Sequence, residues 1–129
     1  AAMNQSARTE SSPVELDTQH PPIDFEKALA EFEGDRELLT EVFNEFLENV
    51  RVQVDMISQA IFRDDFEKIK REAHTIKGGA ANLVAQKLSM IAFDLEKSAK
   101  SNDLKGCERH LEMVEKELEL LTFCARNLS

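Results

Sequence analysis

"FEKIKREAHTIKGGAANL", residues 66–83, places an apolar residue at alternating steps of three and four: Phe66, Ile69, Ala73, Ile76, Ala80 and Leu83. That period gathers all six on one face of an α-helix. At about 100° per residue, the mean direction of this stripe lies about 130° from His74, so the histidine faces solvent. Its neighbours one turn away are Lys70, Arg71, Lys77 and Gly78, and Ala81 follows one turn further on. A cluster of cations and very small residues therefore surrounds one imidazole. The adjacent Gly78 and Gly79 raise a question, because each glycine inside a helix costs about 0.8–1 kcal/mol relative to alanine. Packing does not demand them on an outer face. They provide open space, and Gly78 in particular lets another protein's backbone or a phosphate oxygen reach the ring.

The same period extends in both directions from this stretch. Asp24 is placed to cap a short helix carrying Phe25, Ala28, Leu29 and Phe32, which ends at Gly34. Asp35 caps a long helix with the stripe Leu39, Val42, Phe43, Phe46, Val50, Val54, Ile57 and Ile61. Asp64 is expected to cap the helix that holds His74. A fourth helix runs from about Gln86 to Lys100 with Leu88, Ile91, Leu95 and Ala99 inward, and "SND" breaks it. The fifth carries Leu104, Cys107, Leu111, Val114, Leu118, Leu121 and Ala125. No proline follows Pro22. The expected fold is all-α, an up-down-up-down antiparallel four-helix bundle over residues 23–129 with a short extra N-terminal helix closing one end. Residues 1–22, rich in Ser and Pro and without period, read as a disordered tail or linker, and His20 within them has no expected role. Ala1-Ala2-Met3 reads as an added leader, which would make the chain a piece of a longer protein. His110, amid "CERHLEMVEKEL", reads as a surface residue.

Composition narrows the function. The 129 residues, 42% hydrophobic, suffice for one domain with its own core. Sixteen basic against twenty-five acidic residues give a net charge of -9, which argues against nucleic acid or an anionic membrane as partner. No apolar run is long enough to span a bilayer and no signal peptide is evident, so the expected location is cytoplasmic. Cys107 and Cys124 fall in one helix about 25 Å apart, too far to bridge, and are expected to be free thiols.

An antiparallel hairpin turning near Val84 and Ala85 pairs positions whose numbers sum to about 170. Glu96 then lies level with His74, and Phe93 level with Lys77. A carboxylate there can accept a hydrogen bond from one ring nitrogen, fixing the tautomer and leaving the other nitrogen as a nucleophile. Lys100, one turn beyond, adds positive charge. Neither G-x-x-x-x-G-K-[ST] nor G-x-G-x-x-G occurs, so no nucleotide site is expected. No E-x-x-H occurs either, which disfavours a di-iron bundle enzyme, and no metal or other cofactor is expected on this domain.

"AHTIKGGAANL" closely resembles the H-x-x-K-G motif of histidine-containing phosphotransfer (HPt) domains of phosphorelays, and "GDRELLTEVFNEFLE" and "LEKSAKSNDL" are similar to that family's flanking segments. The resemblance covers about residues 23–125. It implies that His74 accepts a phosphoryl group from a receiver-domain phospho-aspartate and relays it to a response-regulator aspartate. Lys77 matches the motif lysine that steadies the phosphoryl group, with Lys100 as a second stabilising cation. Gly78 matches the glycine that clears the docking surface, to which Lys70, Arg71, Ala81 and Phe93 would also belong. Glu96 occupies the place of a His-orienting Glu or Gln. Val84 departs from the family, many of whose members carry glycine there. The implied partners are receiver domains, which would bring the Mg²⁺, and a histidine kinase that could share the chain as a hybrid sensor. The isolated domain would be monomeric and a phosphoryl carrier with no kinase site of its own. Two alternatives are the phosphoacceptor domain of a chemotaxis-type histidine kinase, whose motif also often reads "KGGA", and a purely structural helical module.

Overall fold

The structure is a computed structural model and describes residues 23–128. The tail or linker expected for residues 1–22 lies outside the described residues. The described chain forms five helices: α1 (Phe25–Glu31), α2 (Arg36–Phe62), α3 (Phe66–Asn82), α4 (Gln86–Lys100) and α5 (Leu104–Leu128). Helices α2 to α5 form a ring in which α3 packs on α4, α4 on α5, and α2 on both α3 and α5. Cross-helix pairs show the antiparallel sense. Going up α3 from His74 to Lys77 means going down α4 from Glu96 to Ser89, and going up α4 from Lys87 to Ser98 means going down α5 from Glu117 to His110.

One turn design ends each of the first four helices. The residue after the C-cap adopts a left-handed φ, at Glu33 (54°), Asp64 (56°), Val84 (55°) and Asn102 (54°). The next N–H then reaches back to the carbonyl five residues earlier: Gly34 to Leu29, Asp65 to Ala60, Ala85 to Ala80 and Asp103 to Ser98, at 2.8–2.9 Å. This Schellman arrangement satisfies carbonyls that the helix end would otherwise orphan. It also corrects the expected start of α3. Asp64 is used for the left-handed position, and Asp65 becomes the cap, its Oδ1 accepting from the Lys68 N–H at 3.2 Å. Val84 takes the conformation that glycine adopts most easily, which gives its departure from the family pattern a backbone meaning.

The expected stripes form the core, with Leu39, Phe43, Ile57, Ile69, Ile76, Leu88 and Leu121 fully enclosed. Each such side chain contributes about 1.5–3 kcal/mol by leaving water. Leu47, absent from the expected α2 stripe, is also buried, while Val42, Phe46 and Ile61 are only partly covered. The N–H of Asp24, just before α1, donates to the Val84 carbonyl at 3.3 Å. The short helix is thereby held over the α3–α4 turn, at one end of the bundle.

Candidate functional site

Because Ile69, Ala73, Ile76 and Ala80 point into the core, His74 falls on the outer face of α3, and its side chain is 65% exposed. Glu96 on α4 meets it from below and is buried. One carboxylate oxygen, Oε2, lies 3.2 Å from His74 Nδ1, and the other, Oε1, lies 3.1 Å from Lys77 Nζ. A carboxylate can only accept, so Nδ1 carries the proton and donates it. Nε2 is then the nitrogen with a free lone pair, on the exposed side of the ring. The Ser89 hydroxyl donates to the Lys77 carbonyl at 3.1 Å and ties α3 to α4 beside this triad.

Burial alone would raise the Glu96 carboxyl, but the Lys77 ammonium 3.1 Å from Oε1, together with His74, outweighs it and holds the group below its ordinary value of 4.5. Glu96 is therefore a stable anion beneath the imidazole. Phe93, 43% exposed, lies beside this group with Lys77 Nζ 4.9 Å and Lys97 Nζ 4.8 Å from its ring centroid, both in cation–π range. Lys97 also pairs with Asp94 at 3.6 Å. Lys97, rather than the expected Lys100, is the α4 cation that stands against Phe93. The signal was present, since Lys97 follows Phe93 by one helical turn. Lys100 is exposed on the last turn of α4.

A methyl group built on Gly78 meets nothing within 4 Å, as expected, and Ala81 is exposed. Gly79 differs from expectation. A Cβ there would come within 2.8 Å of the Phe46 ring, so this glycine lies close against α2 and is no part of the open surface. Lys70 is paired with Glu67 at 3.3 Å, which offsets its charge, and Arg71 is exposed. His110 also departs from expectation: it is half-buried, with Nδ1 3.1 Å from the hydroxyl of buried Ser98, and helps join α5 to α4. Cys107 and Cys124 are free thiols.

The result is a helical bundle presenting one exposed, carboxylate-oriented histidine within a patch of lysines and open backbone. The model of the Hpt domain family matches residues 41–122, and the chain belongs to that family. A crystal structure of histidine-containing phosphotransfer protein B (HptB) from Pseudomonas aeruginosa PAO1 superposes with a TM-score of 0.77. It covers 83% of this chain and 93% of that one at 20% identity, which shows the shared bundle. No curated protein matches the chain. Its activity is histidine phosphotransfer in phosphorelays, and as an Hpt domain it is a phosphocarrier rather than a kinase.

Proposed function

We propose that His74 is the phosphoacceptor. The observation that carries this reading is the 3.2 Å contact between Nδ1 and buried Glu96, which leaves Nε2 as the nucleophile on a ring that is 65% exposed. In the forward step the phospho-aspartate P–O bond breaks, an N–P bond forms at Nε2, and the aspartate leaves as a carboxylate. The Nδ1 proton stays in place, so the ring becomes cationic and its hydrogen bond to Glu96 becomes charge-assisted on both sides. Lys77, shared between Glu96 and the phosphoryl oxygens, offsets the repulsion between the two anions. Passage to a second receiver reverses the same steps.

Gly78 and Ala81 let the receiver approach closely, and Phe93 offers an apolar contact on the α4 side. Arg71 and Lys100 supply positive charge around the phosphoryl group, with Lys70, its charge offset by Glu67, at the edge of an interface that is weak and transient. The Mg²⁺ of the reaction belongs to the receiver. The domain acts as a monomer in the cytoplasm, between a histidine kinase and a response regulator, either as a separate protein or as part of a hybrid sensor kinase. Among the described residues no helix is long and apolar enough to cross a membrane.

The test is incubation with a panel of phosphorylated receiver domains and Mg²⁺, following acid-labile label on wild type and His74→Gln. Label on wild type alone is expected. Label retained on His74→Gln overturns the assignment, and label only with a chemotaxis-type kinase and ATP replaces the donor proposed here.

A further inference from the structure

The α5 side of the α4–α5 interface carries a group that phosphoryl transfer does not use. Glu117 on α5 is only 3% exposed, and its Oε2 is buried with no hydrogen-bond partner. Its Oε1 has Lys87 Nζ at 3.9 Å, beyond hydrogen-bonding distance. A carboxylate buried this way is under-satisfied, because it has left water without gaining the donors that water supplied. Burial pushes its titration upward, and the Lys87 charge offsets only part of that.

Glu117 also lines a groove of about 550 Å³ between α4 and α5. Ile91, Met113 and Leu120 provide apolar wall, and Lys87, Lys116 and Glu119 complete the lining. The volume lies in the range of small-molecule sites, and the lining offers more apolar than polar surface although four of its seven residues are charged. Two lysines and two glutamates balance in number, but not in depth. Lys87 is 57% exposed at its side chain, whereas the Glu117 side chain is 3% exposed, so the deepest charge in the groove is negative.

We propose that this groove binds a small organic cation, an ammonium or amidinium group carried on an apolar body. The cationic N–H groups would satisfy Glu117 at hydrogen-bonding distance, closer than Lys87 stands, while the body covers Ile91, Met113 and Leu120. The net charge of -9 favours the approach of such a ligand over an anionic one. Binding in this groove does not depend on the role given to His74.

The test is titration of the full chain at neutral pH with hexylammonium and, separately, with hexanol, read by methyl NMR at Met113 and Ile91. Saturable shifts are expected with hexylammonium, and Glu117→Gln should weaken its binding about tenfold or more, the loss of one charge-assisted contact. Glutamine matches glutamate in shape, and circular dichroism verifies that the variant is folded. Equal affinity for hexylammonium and hexanol, equal affinity of wild type and Glu117→Gln, or no saturable shift at millimolar probe each overturns the proposal.

Discussion

Gly78 and Gly79 sit side by side in α3, yet an added methyl group would meet open space at the first and the Phe46 ring at the second. Opposite outcomes are expected for the two alanine variants. Gly78→Ala should raise stability by about 0.8–1 kcal/mol, the helix-propensity gain. Gly79→Ala should lose about 1 kcal/mol net, because displacing a half-buried ring outweighs that gain. Urea midpoints measured on both distinguish the cases, and a rise at Gly79→Ala would show that Phe46 moves freely. At Glu96 the expectation concerns rate. Glu96→Ala removes the acceptor that fixes the His74 tautomer, a charge-assisted bond worth about 1.5–3 kcal/mol, so phosphoryl acceptance should slow by about ten- to a hundredfold. Glu96→Gln, which still accepts from Nδ1, should lose less. Rapid-quench kinetics with one phospho-receiver checks the order. His74, Lys77 and Gly78 were legible in the sequence because a helix makes spacing into position. The separate role of Gly79 was not, since it depends on which neighbour, Phe46 from α2, lies opposite.

At the scale of elements, the turns carry much of the design. Asp65 and Asp103 each end one Schellman turn and cap the next helix, so helix end and helix start share residues. The α4–α5 junction leaves no room for a side chain at Gly106. A Cβ on Gly106 would approach Asp103 Oδ2 at 2.5 Å and the Ser98 hydroxyl at 2.7 Å, while Asp103 Oδ1 accepts from the Gly106 N–H at 2.9 Å. Gly106→Ala should therefore disturb the cap and the Ser98–His110 contact together and cost about 1–2 kcal/mol. The check is a lower denaturant midpoint at unchanged m-value; an unchanged midpoint would mean that the junction relaxes freely. Helix extents followed from apolar period and capping residues and were legible to within a few residues, α1 ending at Glu31 where Gly34 was expected to end it. The choice of Asp65 over Asp64 was not, because adjacent aspartates offer the same side chain and only the turn's hydrogen bonds select between them.

For the molecule as a whole, two buried glutamates act in opposite senses on stability. The Glu96 pKa lies below its ordinary value of 4.5 in the fold, so its ion pairs add stability above that value, and the gain is lost as pH falls through the folded-state pKa. Glu117 lies above 4.5. The folded state then holds its proton more tightly than the unfolded one, and stability falls as pH rises from 4.5 through the folded-state pKa. Glu117→Gln should thus be more stable than wild type at neutral pH, with the difference shrinking in acid, whereas Glu96→Gln should be less stable at neutral pH, again converging in acid. Thermal unfolding across pH reads both, and parallel curves for either variant against wild type would contradict the corresponding assignment.

By itself the sequence determined that the chain is a helical bundle, which residue is its exposed histidine, and that Glu96 stands level with it, because amphipathic period and antiparallel counting both reduce to one-dimensional arithmetic. Tertiary structure decided what distance and depth decide. It buried Glu96 between His74 and Lys77, set Gly79 under Phe46, joined His110 to Ser98 and left Glu117 without a full set of partners. Each of these depends on how two helices rotate and close against one another, and no period within a single helix encodes that rotation.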